Sequence, residues 1–184
     1  AGFAGAGIQV LLPILVLRTL GMSATQLGVL LSAGALGGIL GAITRSAWIT
    51  HLGIGRTIVA TNILGVAILA FQPAAIHIPA WATWVIAASG IISSYFLTVY
   101  NVTQMSLRQE ICPPHMLGRM NAIFRFAVWG VMPLGSLASG VVAARVGVEA
   151  AMYAFIALAI GAGIAMAFTP AARLPGASAD SAVP

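Results

Sequence analysis

The stretch Ala24-Thr-Gln-Leu-Gly-Val-Leu-Leu-Ser-Ala-Gly34-Ala-Leu-Gly37-Gly38-Ile-Leu-Gly41-Ala-Ile-Thr-Arg45-Ser-Ala-Trp48 runs from residue 24 to 44 without a charge. A helix needs about 20 mostly apolar residues to cross the hydrocarbon core of a bilayer, so this segment reads as one spanning helix. Arg45 marks its polar end, and Ser23 or Thr25 is available to cap the other. Gly34, Gly37, Gly38 and Gly41 form two overlapping small-xxx-small pairs, 34 with 38 and 37 with 41. Such a strip lets another helix approach closely, which matters where lipid competes for every apolar contact. Glycine is also simply common in membrane helices; on either reading the strip is packing, not chemistry.

Five further segments repeat the pattern, giving expected spans at about 1–17, 24–48, 56–72, 80–107, 118–144 and 148–168. Arg18 and Gly21-Met22-Ser23 end the first. Gln72-Pro73 and Pro79 bracket a loop between the third and fourth, and Pro113-Pro114 lies between the fourth and fifth. The fourth is longer than a bilayer requires, so it should tilt or project. It opens with Trp81 and Trp84, which suit an aromatic belt at headgroup level. Residues 1–168 thus read as one six-helix transmembrane domain, and 169–184, with Pro170 and Pro175, as a mobile cytoplasmic tail.

Composition excludes a water-soluble domain. Hydrophobic residues make up 60%, charged residues 6%, and mean hydropathy is +1.05, against about 25% charged in soluble domains. So few charges cannot cover a globular surface, and lipid must be the outer solvent. The net charge of +5 comes from arginine without lysine against Glu110, Glu149 and Asp180. The arginines stand singly between apolar runs, which excludes a nucleic-acid face. Arg45, Arg56, Arg108, Arg119 and Arg173 fall on one side of the expected spans and only Arg18 and Arg145 on the other, favouring a cytoplasmic carboxy terminus. Cys112 has no intrachain partner for a disulfide. Residue 1 is not Met and no charged region precedes the first apolar run, so the chain reads as one whose earlier portion lies outside this sequence.

Chemistry concentrates on a few positions. In the fourth helix Ser94, Thr98, Asn101, Met105 and Arg108 share one face, with Tyr100 and Gln104 beside it. A polar stripe should line a wet cavity or bond to other helices rather than face lipid, although Ser and Thr also bond back to their own helix. Asn101 carries most of that reading. Arg125, about two turns into the fifth helix, needs a partner, a wet cavity or a route to the headgroups. Gln9 in the first helix is a weaker case of the same kind. The run Gly130-Val-Met-Pro133-Leu-Gly135 and Pro13 mark either flexible elements or fixed kinks.

No Asp or Glu is expected at depth in a span, since Glu110 and Glu149 read as loop residues at span ends and Asp180 as part of the tail, and His51, His77 and His115 fall in loops. There is accordingly no midplane carboxylate for proton coupling, no hydrolytic pair, no His/carboxylate metal site and no phosphate loop, so neither a cofactor nor an enzymatic role is expected.

Gln104-Met-Ser-Leu-Arg108-Gln109-Glu-Ile-Cys-Pro113-Pro-His-Met-Leu117-Gly118-Arg119-Met-Asn-Ala, followed by Pro133-Leu134-Gly135, resembles the major facilitator superfamily. It looks most like the branch containing the enterobactin exporter and the macrolide efflux proteins. The resemblance covers nearly the whole chain. It implies an all-α membrane protein, the carboxy-terminal half of a fold with a 3+3 inverted repeat in each half. The family's loop after the second helix of a half resembles Gly-x-x-x-Asp-Arg-x-Gly-Arg. Here Trp48-Ile49-Thr50-His51-Leu52-Gly53-Ile54-Gly55-Arg56 supplies Gly53 and Arg56 but puts Thr50 at the acidic position, so the likeness does not extend to the charge pair of the cytoplasmic latch.

The resemblance further implies a secondary transporter of the inner membrane whose two halves rock about a central site. Its first and fourth helices would line the cavity and its second and fifth would pack across to a missing amino-terminal six-helix half holding the coupling acid. Expected cargo is a drug-like or siderophore-like small molecule moved outward as an antiporter, with Gln9, Ser94, Thr98, Asn101, Gln104 and Arg125 in the cavity. Gly53, Arg56, Arg108, Gly118 and Arg119 would serve the cytoplasmic loops and gate, and the glycine strip with Gly130, Pro133 and Gly135 the packing interface. Rival readings are a self-associating pore, a six-helix scaffold and a membrane-embedded enzyme.

Overall fold

The structure is a computed structural model that describes residues 2–168; the expected tail lies outside the described residues. Six long helices account for nearly all of it. α1 (Gly2–Ile14) continues as a π-helical turn, Leu15–Thr19. α2 is Ala24–Leu52, α3 is Ile54–Ala67, α4 is Ala82–Ile111, α5 is Leu117–Val146 and α6 is Val148–Ala167. With α1 extended to Thr19 and α3 to His77, six segments are long and apolar enough to cross a membrane.

Local chemistry sets the ends. Ser23 begins α2 with a capping box: its Oγ accepts from Gln26 N at 3.2 Å and Gln26 Oε1 accepts from Ser23 N at 2.8 Å. Gly53 alone separates α2 from α3 at φ +77°, and Gly147 alone separates α5 from α6 at φ +89°, values that L side chains rarely adopt. Beside the first of these corners the buried Thr57 hydroxyl lies 2.7 Å from the carbonyl of Gly53 and 3.0 Å from that of Trp48. The corner is therefore tied by a neutral hydroxyl, while Arg56 is exposed.

One expected boundary needs correcting. Gln72-Pro73 does not open a loop: short helical turns at Ile68–Ala70, Phe71–Ala74 and Ala75–His77 prolong α3, and the apolar span extends from Ile54 to His77. Proline removes one hydrogen bond and its ring crowds the carbonyl four residues back, and here the chain meets both with short 3-10 turns on either side of Phe71–Ala74. α2 likewise runs on through His51 to Leu52, which were expected in a loop.

The helices pack in a reciprocal pattern. α2 lies along α4 and α5 along α1; α3 touches α4 and α6 touches α1; α3 and α6 meet each other. Exchanging the first three helices with the last three reproduces the same contacts, as a 3+3 repeat requires. Glycine makes both main seams: Gly37 sits against the carbonyl of Ile91, and Gly135 against that of Phe3. One small buried apolar cluster joins Ile8 and Leu11 of α1 and Leu15 of its π-helical continuation to Met152, Phe155 and Ile156 of α6. Large apolar side chains remain uncovered, among them Ile43 on α2 at 70% exposure and Phe126 on α5 at 83%. That is the inverse of a soluble fold and fits a lipid surround.

Candidate transport cavity and the family

Gln9 is exposed on α1 and lines two cavities. The first, about 180 Å³, lies among α1, α2, α4 and the extension of α3, and its polar lining comes from Gln9, Gln72, Ser93 and Ser94. The second, about 430 Å³, lies between α1 and α5 and meets Gln9, Trp129, Pro133 and Ser136. Both prolines near this level act on the same wall. Pro13 has no N–H for the carbonyl of Gln9, and Pro133 none for that of Trp129, so each helix loses one internal hydrogen bond beside the cavity. A backbone carbonyl without its helical donor must find another, and water or cargo can supply it.

The two wall positions differ in how firmly they are held. Ser93 donates to the carbonyl of Gly65 at 2.7 Å and is committed. Gln72 is 2% exposed and its Oε1 has no hydrogen-bond partner. A buried amide oxygen left so costs about 1–3 kcal/mol.

The stripe expected on the fourth helix does not stay together. Ser94 and Thr98 turn toward the glycine strip: a Cβ on Gly34 would lie 3.1 Å from Ser94 Oγ, and one on Gly38 would lie 3.3 Å from Thr98 Oγ1. Ser94 also reaches the first cavity. Asn101 and Met105 are exposed, and Asn101 lines neither cavity. Gln104 and Arg108 belong to the opposite part of α4, where Gln104 Nε2 donates to the Tyr100 hydroxyl at 2.7 Å and Arg108 Nε donates to the carbonyl of Gln104 at 3.2 Å. With Phe124, Val59 and Gly55 they line a third space of about 200 Å³.

The expected packing residues also sort by partner. Gly34, Gly37 and Gly41 are buried against α4, inside these six helices, and so are not free to pack across to another half as expected; a helix that fills the strip from within leaves no groove there. Gly135 is taken up by α1, whereas Gly130 has nothing within 4 Å and Pro133 faces the second cavity. Arg125 is exposed, with its guanidinium 5.0 Å from the Trp129 ring centre, a cation–π contact rather than an ion pair. Gly118 and Arg119 are exposed in the first turn of α5.

Two wall residues, Gln72 and Trp129, and one residue of the α2–α4 seam, Tyr95, escaped the sequence reading. Gln72 is expected at the very end of the third span, at the edge of a loop, because Pro73 follows it, yet Asn62, Gly65, Leu69 and Gln72 keep helical spacing, a signal that overrides one proline. Trp129 stands four residues after Arg125, where a guanidinium can reach it. Tyr95 had no sequence signal: its hydroxyl is 2.8 Å from both Thr44 Oγ1 and Trp48 Nε1 and joins α4 to α2.

Charge divides the molecule. His77 Nε2 lies 2.8 Å from Glu149 Oε1, a hydrogen-bonded contact that joins the turns after α3 to the first turn of α6. The opposite end carries Arg56, Arg108, Arg119 and Arg125. Among curated proteins and among solved structures nothing matches the chain. The Major Facilitator Superfamily family model matches residues 1–182. On that match, and with six spanning segments, the chain belongs to the major facilitator superfamily and is a multi-pass membrane transporter in its general class.

Proposed function

We propose that the chain forms the cargo-facing wall of an exporter for small amphipathic molecules, of the drug or siderophore kind, working by alternating access. The observation that carries this reading is Gln9, which stands between two cavities on a helix whose own hydrogen bonding Pro13 interrupts. Apolar walls with a few amide and hydroxyl groups accept cargo by shape and a small number of hydrogen bonds. Export coupled to protons requires an acid at depth; among the described side chains the carboxylate within a span is Glu149, in the first turn of α6 and so at the end of its helix, and the coupling group belongs to a second six-helix half. The inner membrane with a cytoplasmic carboxy terminus suits the bias of arginine toward one end.

In proteoliposomes carrying the full-length protein, an imposed proton gradient is expected to drive accumulation of an amphipathic fluorescent dye several-fold above that in empty vesicles. Dye movement equal to that of empty vesicles, or unchanged when the gradient is collapsed, rejects proton-driven export.

A further inference from the structure

The 200 Å³ space at the arginine-rich end is separate from the two cavities that Gln9 joins. Its walls come from four helices: Gly55 and Val59 of α3, Gln104, Leu107 and Arg108 of α4, Phe124 of α5, and Met166 of α6. All but two of these present carbon or sulfur. The polar exceptions sit together, because Gln104 is held by Tyr100 and Arg108 is anchored through Nε to the carbonyl of Gln104.

Arg108 is fixed from below as well. Its Cζ lies 3.9 Å from the centre of the Phe124 ring, so the flat guanidinium rests on an aromatic seat. No carboxylate among the described side chains pairs with it. A guanidinium immobilised through Nε and its π face keeps its Nη edge for a planar or tetrahedral oxyanion, which it can grip with two parallel hydrogen bonds. Arg56, exposed next to the wall residue Gly55, adds positive potential without entering the space.

We infer that this space binds an amphipathic oxyanion, a phosphate or carboxylate on an apolar tail, with Arg108 holding the head and the Val59, Leu107 and Phe124 walls covering the first carbons of the tail. An anionic lipid of the surrounding leaflet and a soluble alkyl anion share this chemistry. The binding is measured without a gradient or transport, so it stands or falls apart from the exporter reading.

The test uses purified full chain in neutral detergent, with octyl phosphate and inorganic phosphate followed by calorimetry, and phosphatidylglycerol and phosphatidylcholine followed by native mass spectrometry. Octyl phosphate is expected to bind at least tenfold more tightly than inorganic phosphate. Arg108→Gln should weaken it at least tenfold, Arg108→Lys should restore part of the affinity, and Arg119→Gln should leave it unchanged. Val59→Phe, which fills the space and keeps the arginine, should also abolish the preference for the alkyl tail. Retention of phosphatidylglycerol over phosphatidylcholine, lost in Arg108→Gln, identifies the lipid as source; octyl phosphate binding without lipid retention identifies a soluble anion. Equal affinity of wild type and Arg108→Gln for octyl phosphate, or equal affinity of wild type for octyl and inorganic phosphate, overturns the inference.

Discussion

Gly37→Val is expected to remove most of the recoverable, monodisperse protein, while Gly130→Ala leaves it unchanged or slightly more stable. Both are glycines inside long helices, so helix propensity favours replacing either, by about 0.5–1 kcal/mol for alanine and by less for β-branched valine. Their surroundings differ. A Cβ on Gly37 would overlap the carbonyl of Ile91 and lie 3.1 Å from Tyr95 N, and neither group can move without shifting α4 bodily. Overpacking of this kind costs about 1–3 kcal/mol where side chains can yield, and more where backbone opposes it. Against a total stability of about 5–15 kcal/mol, that is enough to unseat the helix pair. At Gly130 nothing stands within 4 Å of the added carbon. Fluorescence-detected size-exclusion after mild heating separates the two outcomes; equal midpoints for both variants would mean that the α2–α4 seam is not a close backbone contact.

Gln9→Leu in the full-length protein is expected to lower transport about tenfold or more without changing thermal stability. The side chain is exposed toward both cavities and makes no hydrogen bond within the chain among those resolved, so its loss removes nothing that holds α1 in place. What it removes is one of few polar groups on an apolar wall. A hydrogen bond to uncharged cargo contributes about 0.5–1.5 kcal/mol and one to charged cargo about 1.5–3 kcal/mol, which spans roughly a few-fold to a hundredfold in binding. Val29→Ala, on the exposed side of α2 and outside both cavities, is the matched control. Full transport by Gln9→Leu would remove Gln9 from the cargo path.

The architecture was open to a reader of the sequence because charge is scarce and falls at the ends of apolar runs of spanning length. Lipid leaves a chain few other ways to satisfy its backbone. What periodicity could not supply is the partner of each face. The glycine strip was legible as a close-packing surface, but only tertiary structure shows that α4 fills it and that Ser94 and Thr98 are turned into the same seam. Asn101 stood out by residue type, yet it lies past the point where the stripe faces either cavity. Gln72 was hidden by the proline after it, since a local rule for loops was set against a helical spacing that began ten residues earlier. Arg108 and Phe124 are sixteen positions apart and separated by a turn, so nothing in either neighbourhood announced their contact.

The inward orientation of the scarce polar side chains is most directly tested by cysteine accessibility in membranes, with Cys112 first replaced by serine. A membrane-impermeant maleimide is expected to label Gln9→Cys and Ser94→Cys through water, and to leave Ile43→Cys and Leu137→Cys, both exposed apolar positions on α2 and α5, unlabelled because lipid covers them. Labelling of the Ile43 and Leu137 variants with protection of the Gln9 and Ser94 variants would mean that the helices face the other way, and the cavity described on α1 could not be the path of cargo.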